Sequence, residues 1–110
     1  MQQKTIRDMQ GQVDTYISQF KEGYFPPMEL LARLTEELGE LSREIQHQYG
    51  MKKKKSTEVE KAIEEELGDF LFVLICLANS EKIDMQNALD RVMEKYSSRD
   101  RDRWTKKEEN

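Results

Sequence analysis

Apolar residues recur along this chain at steps of three and four, and nowhere in strict alternation. Ile6, Met9, Val13, Tyr16, Ile17 and Phe20 predict an amphipathic helix over about residues 4–20. Gly23 and the Pro26-Pro27 pair break it, and Pro27 suits the first turn of the next helix. That second helix is expected from about Met28 to Gln48, with Leu30, Leu31, Leu34, Leu38, Leu41 and Ile45 as its apolar stripe. Gly50 suits its end, and Lys52 to Lys55 form a loop that suits the negative end of the helix dipole. Thr57 with Glu60 reads as a capping box opening a third helix, which ends near Ser80. Asp84 is the expected N-cap of a fourth helix carrying Ala88, Leu89, Val92, Met93 and Tyr96. A charged tail follows from about Asp100, with Trp104 as its one large apolar anchor. The expectation is an all-α, four-helix-bundle-like fold in a single domain over residues 1–110.

Composition narrows the function classes. Charged residues are 36% and apolar residues 36% of the chain, with few glycines and prolines, which fits a helix-rich soluble protein. The net charge of −4 gives no global attraction to nucleic acid or to anionic membrane, so neither is an expected partner. No apolar run is long enough to span a bilayer, and the N-terminus lacks the apolar core of a signal peptide. A single cysteine, Cys76, excludes an internal disulfide and fits a reducing, cytoplasmic compartment.

Direction on the helices isolates the chemistry. With Leu30 at 0°, the stripe of the second helix covers about 0–100°, Glu37 falls near ~340°, Glu40 near ~280° and Glu36 near ~240°. Glu37 therefore borders the core, Glu40 lies one step out and Glu36 points away. On the third helix, with Glu58 at 0°, Asp69 falls near ~20° and Glu66 near ~80°, among Ala62, Val59, Val73 and Cys76. Glu64 lies near ~240°, where water solvates it. Two inward carboxylates must be protonated, paired with a cation or bound to a metal, because each costs several kcal/mol if left bare. A surface helix often carries acids three apart without consequence, but here two such pairs lie on consecutive helices that pack antiparallel. Four carboxylates converging without a histidine make a hard oxygen site suited to Mg²⁺ or Mn²⁺. The two Glu-x-x-His motifs of a ferritin-like di-iron bundle cannot both be present, because the chain has a single histidine (His47, three residues after Glu44), and no EF-hand loop occurs.

The ordered motifs "EELGE" (36–40) and "EELGD" (65–69) resemble the paired acidic signature of MazG-like nucleotide pyrophosphohydrolases, within the all-α NTP pyrophosphatase superfamily. The segments "ANSEKIDMQNAL" and "VMEKYSSRDRDRW" resemble those that follow the second motif in small single-domain members. The resemblance covers nearly the whole chain. It implies Mg²⁺-dependent hydrolysis of a nucleoside triphosphate to the monophosphate and pyrophosphate, in a homodimer or homotetramer. It carries metal-ligand roles to Glu37, Glu40, Glu66 and Asp69. It makes Lys95 and Arg99 phosphate contacts, above Arg91, Arg101, Arg103, Lys106, Lys107 and the lysine loop. Residues 70–78, apolar on every side, independently favour a core completed by self-association.

Attack by water at the α-phosphorus would need a base, for which Glu40 and Glu36 are the candidates. The direction of Glu36 makes it a solvated acid unless a second subunit reaches it. Asn79 is a candidate hydrogen-bonder to substrate. Tyr16, Phe20, Tyr24 and Phe25 are candidates to stack on a base, although core packing is the better reading of Phe20. Met9, Met28, Met85 and Met93 read as core filler, His47 as a surface residue and Cys76 as a buried thiol. Two alternatives stand beside this reading: a phosphoribosyl-ATP pyrophosphohydrolase-like enzyme, and a non-enzymatic helical interaction module whose acids pair with a partner's lysines.

Overall fold

Thr5 opens the first helix with a reciprocal cap: its hydroxyl accepts from the Asp8 amide and the Asp8 carboxylate accepts from the Thr5 amide. In the computed structural model, which describes residues 3–50 and 62–108, this helix α1 runs Ile6–Ile17. It ends three residues short of the expected limit because the chain tightens into turns after Ile17, with the Phe20 amide donating to the Ile17 carbonyl. Gly23 sits at φ +66, a left-handed conformation that favours glycine. Pro26 then caps α2, Pro27–Tyr49, with Pro27 at its first position as expected. Gly50 closes α2 in an extended conformation. A Cβ there would lie 2.6 Å from the Gln46 carbonyl oxygen, so close approach, not a left-handed turn, requires the glycine.

Helix α3 spans Ile63–Ser80 and α4 spans Met85–Arg99. The lysine loop and the Thr57–Glu60 capping box lie outside the described residues, but Ala62 is extended, so α3 opens at Ile63 rather than near Thr57 as expected. Lys82, at φ 58, closes α3: its amide donates to the Asn79 carbonyl, and the next amide, of Ile83, reaches the Ala78 carbonyl. Asp84 caps α4 as expected, accepting from the amides of Gln86 and Asn87. The four helices, with no strand among the described residues, bear out the all-α class.

Helix α2 packs along α3, α1 crosses α3, and α4 makes its main contact with α1. The core is correspondingly small. Leu30, Val73 and Cys76 are buried, with Val13, Ile17, Tyr24, Leu34, Phe72 and Leu77 packed on them. The radius of gyration is 18.1 Å, against roughly 13 Å for a compact chain of this length.

The inward line of α2 is Leu30, Leu34, Glu37, Leu41 and Glu44, each buried or half-buried. The expected stripe was centred some ~50° away. Leu31, Leu38 and Ile45 face out, Leu38 with 53% of its surface exposed. They form a second apolar face that no described residue covers. Leu89, Val92, Met93 and Tyr96 of α4 are exposed in the same way. Phe20 is not core filler, contrary to the sequence reading: half of its surface is exposed. Met28, expected as core filler, is 77% exposed and Met93 is also exposed, whereas Met9 and Met85 are half-buried. Trp104 does not anchor the tail by burial: it lies under the Arg103 guanidinium at 5.1 Å and is exposed. His47 is half-buried rather than superficial, and Cys76 is buried and free.

Candidate metal centre

Leu30 meets Val73, and Glu37, seven residues later on α2, meets Glu66, seven residues earlier on α3. This register makes the two helices antiparallel and replaces one apolar layer by a pair of acids. Glu40, one turn further along α2, joins them. One carboxylate oxygen from each of Glu37, Glu40 and Glu66 lies within 4.8 Å of the others.

Burial is graded across the three. Glu66 is the most enclosed, with 1% of its surface exposed, Glu37 is half-buried and Glu40 is exposed. Glu37 Oε2 is buried and accepts no hydrogen bond. Burial pushes the Glu37 carboxyl above its ordinary value, and the charges of Glu40, Asp69 and Glu66 push it the same way. Arg33, one turn before Glu37, partly opposes this. An orphaned buried oxygen, three converging carboxylates and an oxygen-only donor set together fit a hard divalent cation. Glu40 leaves the open side facing solvent.

Asp69, expected inward beside Glu66, is instead exposed and stands outside the 4.8 Å group, because α3 turns its Glu66 face, not its Asp69 face, to α2; its charge is still felt at Glu37. It borders the open side of the cluster. Glu36 is exposed and outside the group, as its direction predicts.

The expected substrate contacts are not gathered at the acids. Lys95 and Arg99 lie on α4, stacked over Tyr96 at 5.2 and 4.7 Å, and α4 makes its main contact with α1. Arg99 also pairs with Asp100 through two nitrogens, at 3.0 and 3.2 Å. The Asn79 amide is committed inside the fold: it donates to the Gln10 carbonyl and the Tyr24 hydroxyl and accepts from the Gln10 amide. The Tyr24 hydroxyl in turn donates to Asp14 at 2.7 Å. Asn79 thereby ties α1, the 20–26 turn and α3 together. Two residues with bearing on the site lay outside the sequence reading. Glu44 is buried on the inward line of α2, and its spacing from Glu37 and Leu41 was the available signal. Arg33 gave none, because an arginine between leucines on an amphipathic helix is ordinary.

Two consecutive antiparallel helices with a cluster of carboxylates between them define the class of the site: an all-α fold with an oxygen-ligand centre. Residues 25–104 match the MazG nucleotide pyrophosphohydrolase domain. The chain is 62% identical over 109 residues to the uncharacterised protein YpjD of Bacillus subtilis, covering 99% of this chain and 98% of that one. A crystal structure of YpjD from Bacillus subtilis, presented as a candidate pyrophosphatase, superposes with a TM-score of 0.79 at 61% identity. The match covers 87% of this chain and 98% of that one. The crystal structure of a Bacillus-conserved MazG protein, described as a nucleotide pyrophosphohydrolase, gives 0.77 at 56% identity, over 87% and 93% of the two chains. The chain belongs to the MazG nucleotide pyrophosphohydrolase family. It is by that membership a hydrolase, and the expected resemblance is borne out.

Proposed function

We propose that this protein, acting as one helical domain, is a Mg²⁺-dependent nucleoside triphosphate pyrophosphohydrolase that releases pyrophosphate and a nucleoside monophosphate. The observation that carries the proposal is the buried Glu37 Oε2, without a hydrogen bond, among three carboxylates within 4.8 Å. A fold does not leave such a group bare without a reason, because desolvated like charges destabilise it.

Glu37, Glu40 and Glu66 would hold the cation, with Asp69 completing the set from the open side. Mn²⁺ has the same ligand chemistry and would substitute. When bound, the cation neutralises charge building on the leaving pyrophosphate. Glu66 contributes a fixed ligand, because its side chain is enclosed. Glu40 faces solvent within the cluster, which supports it as the carboxylate that would take a proton from the water attacking the α-phosphorus. As the phosphorus–oxygen bond to pyrophosphate breaks, the proton stays on that carboxylate until solvent removes it. Glu36 would serve only if a second copy turned it toward a substrate.

Lys95 and Arg99 act on phosphate in this proposal only across a subunit boundary. The open apolar faces of α2 and α4 support such an assembly, a homodimer or homotetramer, because Leu31, Leu38, Ile45, Leu89, Val92 and Met93 stand uncovered in one chain. No helix among the described residues is long and apolar enough to cross a membrane, which is compatible with a cytoplasmic enzyme acting on the nucleotide pool.

The decisive assay measures pyrophosphate released from a panel of canonical, deoxy and oxidised triphosphates with Mg²⁺, with phosphoribosyl-ATP run separately. Release from one or more triphosphates, lost in Glu66→Gln, is the expected result. Absence of pyrophosphate from every triphosphate would overturn the proposal, and turnover of phosphoribosyl-ATP alone would replace it by the related activity.

A further inference from the structure

The net charge of −4 conceals two unlike regions. Residues 95–107 hold six Lys and Arg against two Asp, a charge of +4, so the rest of the chain carries −8. This cationic stretch is the last turn of α4 and the segment after it. It also holds two exposed aromatic side chains, Tyr96 and Trp104, the latter with 68% of its surface in solvent. Lys95 and Arg99 stand over the Tyr96 ring at 5.2 and 4.7 Å, and Arg103 over the Trp104 ring at 5.1 Å. Asp100 draws two of these cations together: its Oδ1 lies 3.0 Å from Arg99 Nε and 3.6 Å from an Arg103 guanidinium nitrogen. Tyr96 and Trp104 line a groove of about 530 Å³, with Arg101 and Lys106 beside them. Neither Arg101 nor Lys106 makes an ion pair among the described residues.

Exposed rings interleaved with Lys and Arg are the elements that hold a single nucleic-acid strand: the rings stack on bases and the cations follow the phosphodiester backbone. Other occupants fit less well. A lipid surface is entered by aliphatic side chains, and between Ser97 and Lys107 the one large apolar side chain is Trp104. A mononucleotide brings a terminal phosphate of nearly two charges against a groove whose lining includes the half-buried Asp100 carboxylate. A phosphodiester brings a single charge per phosphate, and a strand adds several such contacts in series. A second copy of this chain docks through apolar contact, and the aliphatic face of α4 ends at Met93, before the groove begins. The acids elsewhere do not forbid an anionic partner here. Salt screens exposed charges beyond about 8 Å at physiological ionic strength, so the local charge decides, not the total.

We infer that the end of α4 and the segment after it bind single-stranded nucleic acid, with Trp104 stacking on a base and Arg101, Lys106 and Lys107 contacting backbone phosphates. This reverses the expectation drawn from whole-chain charge. The surface lies apart from the acid cluster: α4 makes its main contact with α1, whereas the acids stand between α2 and α3. The inference goes beyond the pyrophosphohydrolase reading and does not depend on it. Stacking and charge serve every base, so binding is tolerant of sequence. Trp104 then has a reason to stand in the open, because the indole is buried only when the strand is bound.

Trp104 is the one tryptophan of the chain, so its fluorescence reports the contact directly. The full chain is titrated with an oligothymidylate and, separately, an oligouridylate of about 12 nucleotides, within the usual site size. Chelator is present throughout, so that no metal bridges phosphate to the acids. Saturable quenching at low salt is expected, weakening with salt at a logarithmic slope of about −2 for three phosphate contacts. Either oligonucleotide supports the inference, and the tighter one names the sugar. Trp104→Ala, followed by polarisation of a labelled oligonucleotide, should bind about fivefold or more weakly. Arg101→Gln combined with Lys106→Gln should reduce the slope to about −0.7, with the helical circular dichroism of both variants unchanged. Quenching by neither oligonucleotide, or wild-type affinity in Trp104→Ala, overturns the inference. Equal quenching by inorganic polyphosphate overturns it in favour of charge alone. Tighter binding to phosphatidylserine vesicles assigns the surface to lipid instead. Displacement of the oligonucleotide by a nucleoside triphosphate at equal nucleotide concentration also overturns it, because the surface would then belong to the substrate site.

Discussion

Removing the charge at Glu37 should make the metal-free protein more stable. The Glu37, Glu40 and Glu66 oxygens lie within 4.8 Å of one another, so Glu37 faces two like charges. At that distance each repulsion is about 0.9 kcal/mol at the dielectric of water and about 3.5 kcal/mol at an effective value of 20. Glu40 is exposed, so the lower figure is the safer one, and Glu37→Gln should gain about 1–2 kcal/mol. For a domain of this size that is a rise of roughly 4–8 °C in the melting midpoint. The measurement is thermal unfolding at fixed protein concentration in chelator at neutral pH. The pH dependence has a definite sign. The folded-state pKa of Glu37 is raised, so between the unfolded and folded values the folded chain binds more protons than the unfolded one. Wild-type stability therefore falls as pH rises through that window. The advantage of Glu37→Gln should be full at neutral pH and vanish below the ordinary carboxylate range. Addition of Mg²⁺ or Mn²⁺ should reverse the ranking, raising the wild-type midpoint and leaving the variant's nearly unchanged. A variant less stable than wild type in chelator, or one that gains as much from metal, would refute the electrostatic reasoning.

The other predictions concern the frame around the site. Asn79→Ala removes three hydrogen bonds and strands the Tyr24 and Gln10 groups they served, which should cost roughly 1–3 kcal/mol in denaturant unfolding and leave metal-dependent stabilisation in place. Burial, reinforced by the hydrogen bond to Asp14, pushes the Tyr24 phenol up to about 12. Spectrophotometric titration should accordingly show a tyrosine ionisation step near pH 12, and Tyr24→Phe should delete it. The Arg7 hydrogen bond holds the Asp84 carboxyl below its usual range, so its contribution is present above the unfolded pKa and is lost as pH falls through the lower folded one. Asp84→Asn, which keeps a capping side chain, should melt below wild type at neutral pH and converge with it below about pH 4. Identical wild-type and variant melting profiles across that range would discount the Arg7 contact.

The sequence by itself determined the helices and one of the two acids it turned inward, Glu66; the other, Asp69, is exposed. Period, prolines and caps act within a few residues, so α1 to α4 and the roles of Pro27 and Asp84 were readable from local pattern. Glu66 was readable because a carboxylate in an apolar stripe is costly wherever the chain goes, and Glu37 because it borders the stripe of its own helix. What the sequence left open is which of two apolar faces of α2 would be used. Leu31, Leu38 and Ile45 are as apolar as Leu30, Leu34 and Leu41, and only the docking of α3 and α1 chose between them. The same docking exposed Asp69 while burying Glu66, turned Asn79 into a brace, and placed Lys95 and Arg99 on a helix that leans on α1. It also left Trp104 in the open, among the cations that follow α4. Local periodicity fixes the direction of a side chain on its own helix. Which direction becomes interior is a property of neighbouring helices, distant in sequence, and only their packing decides it.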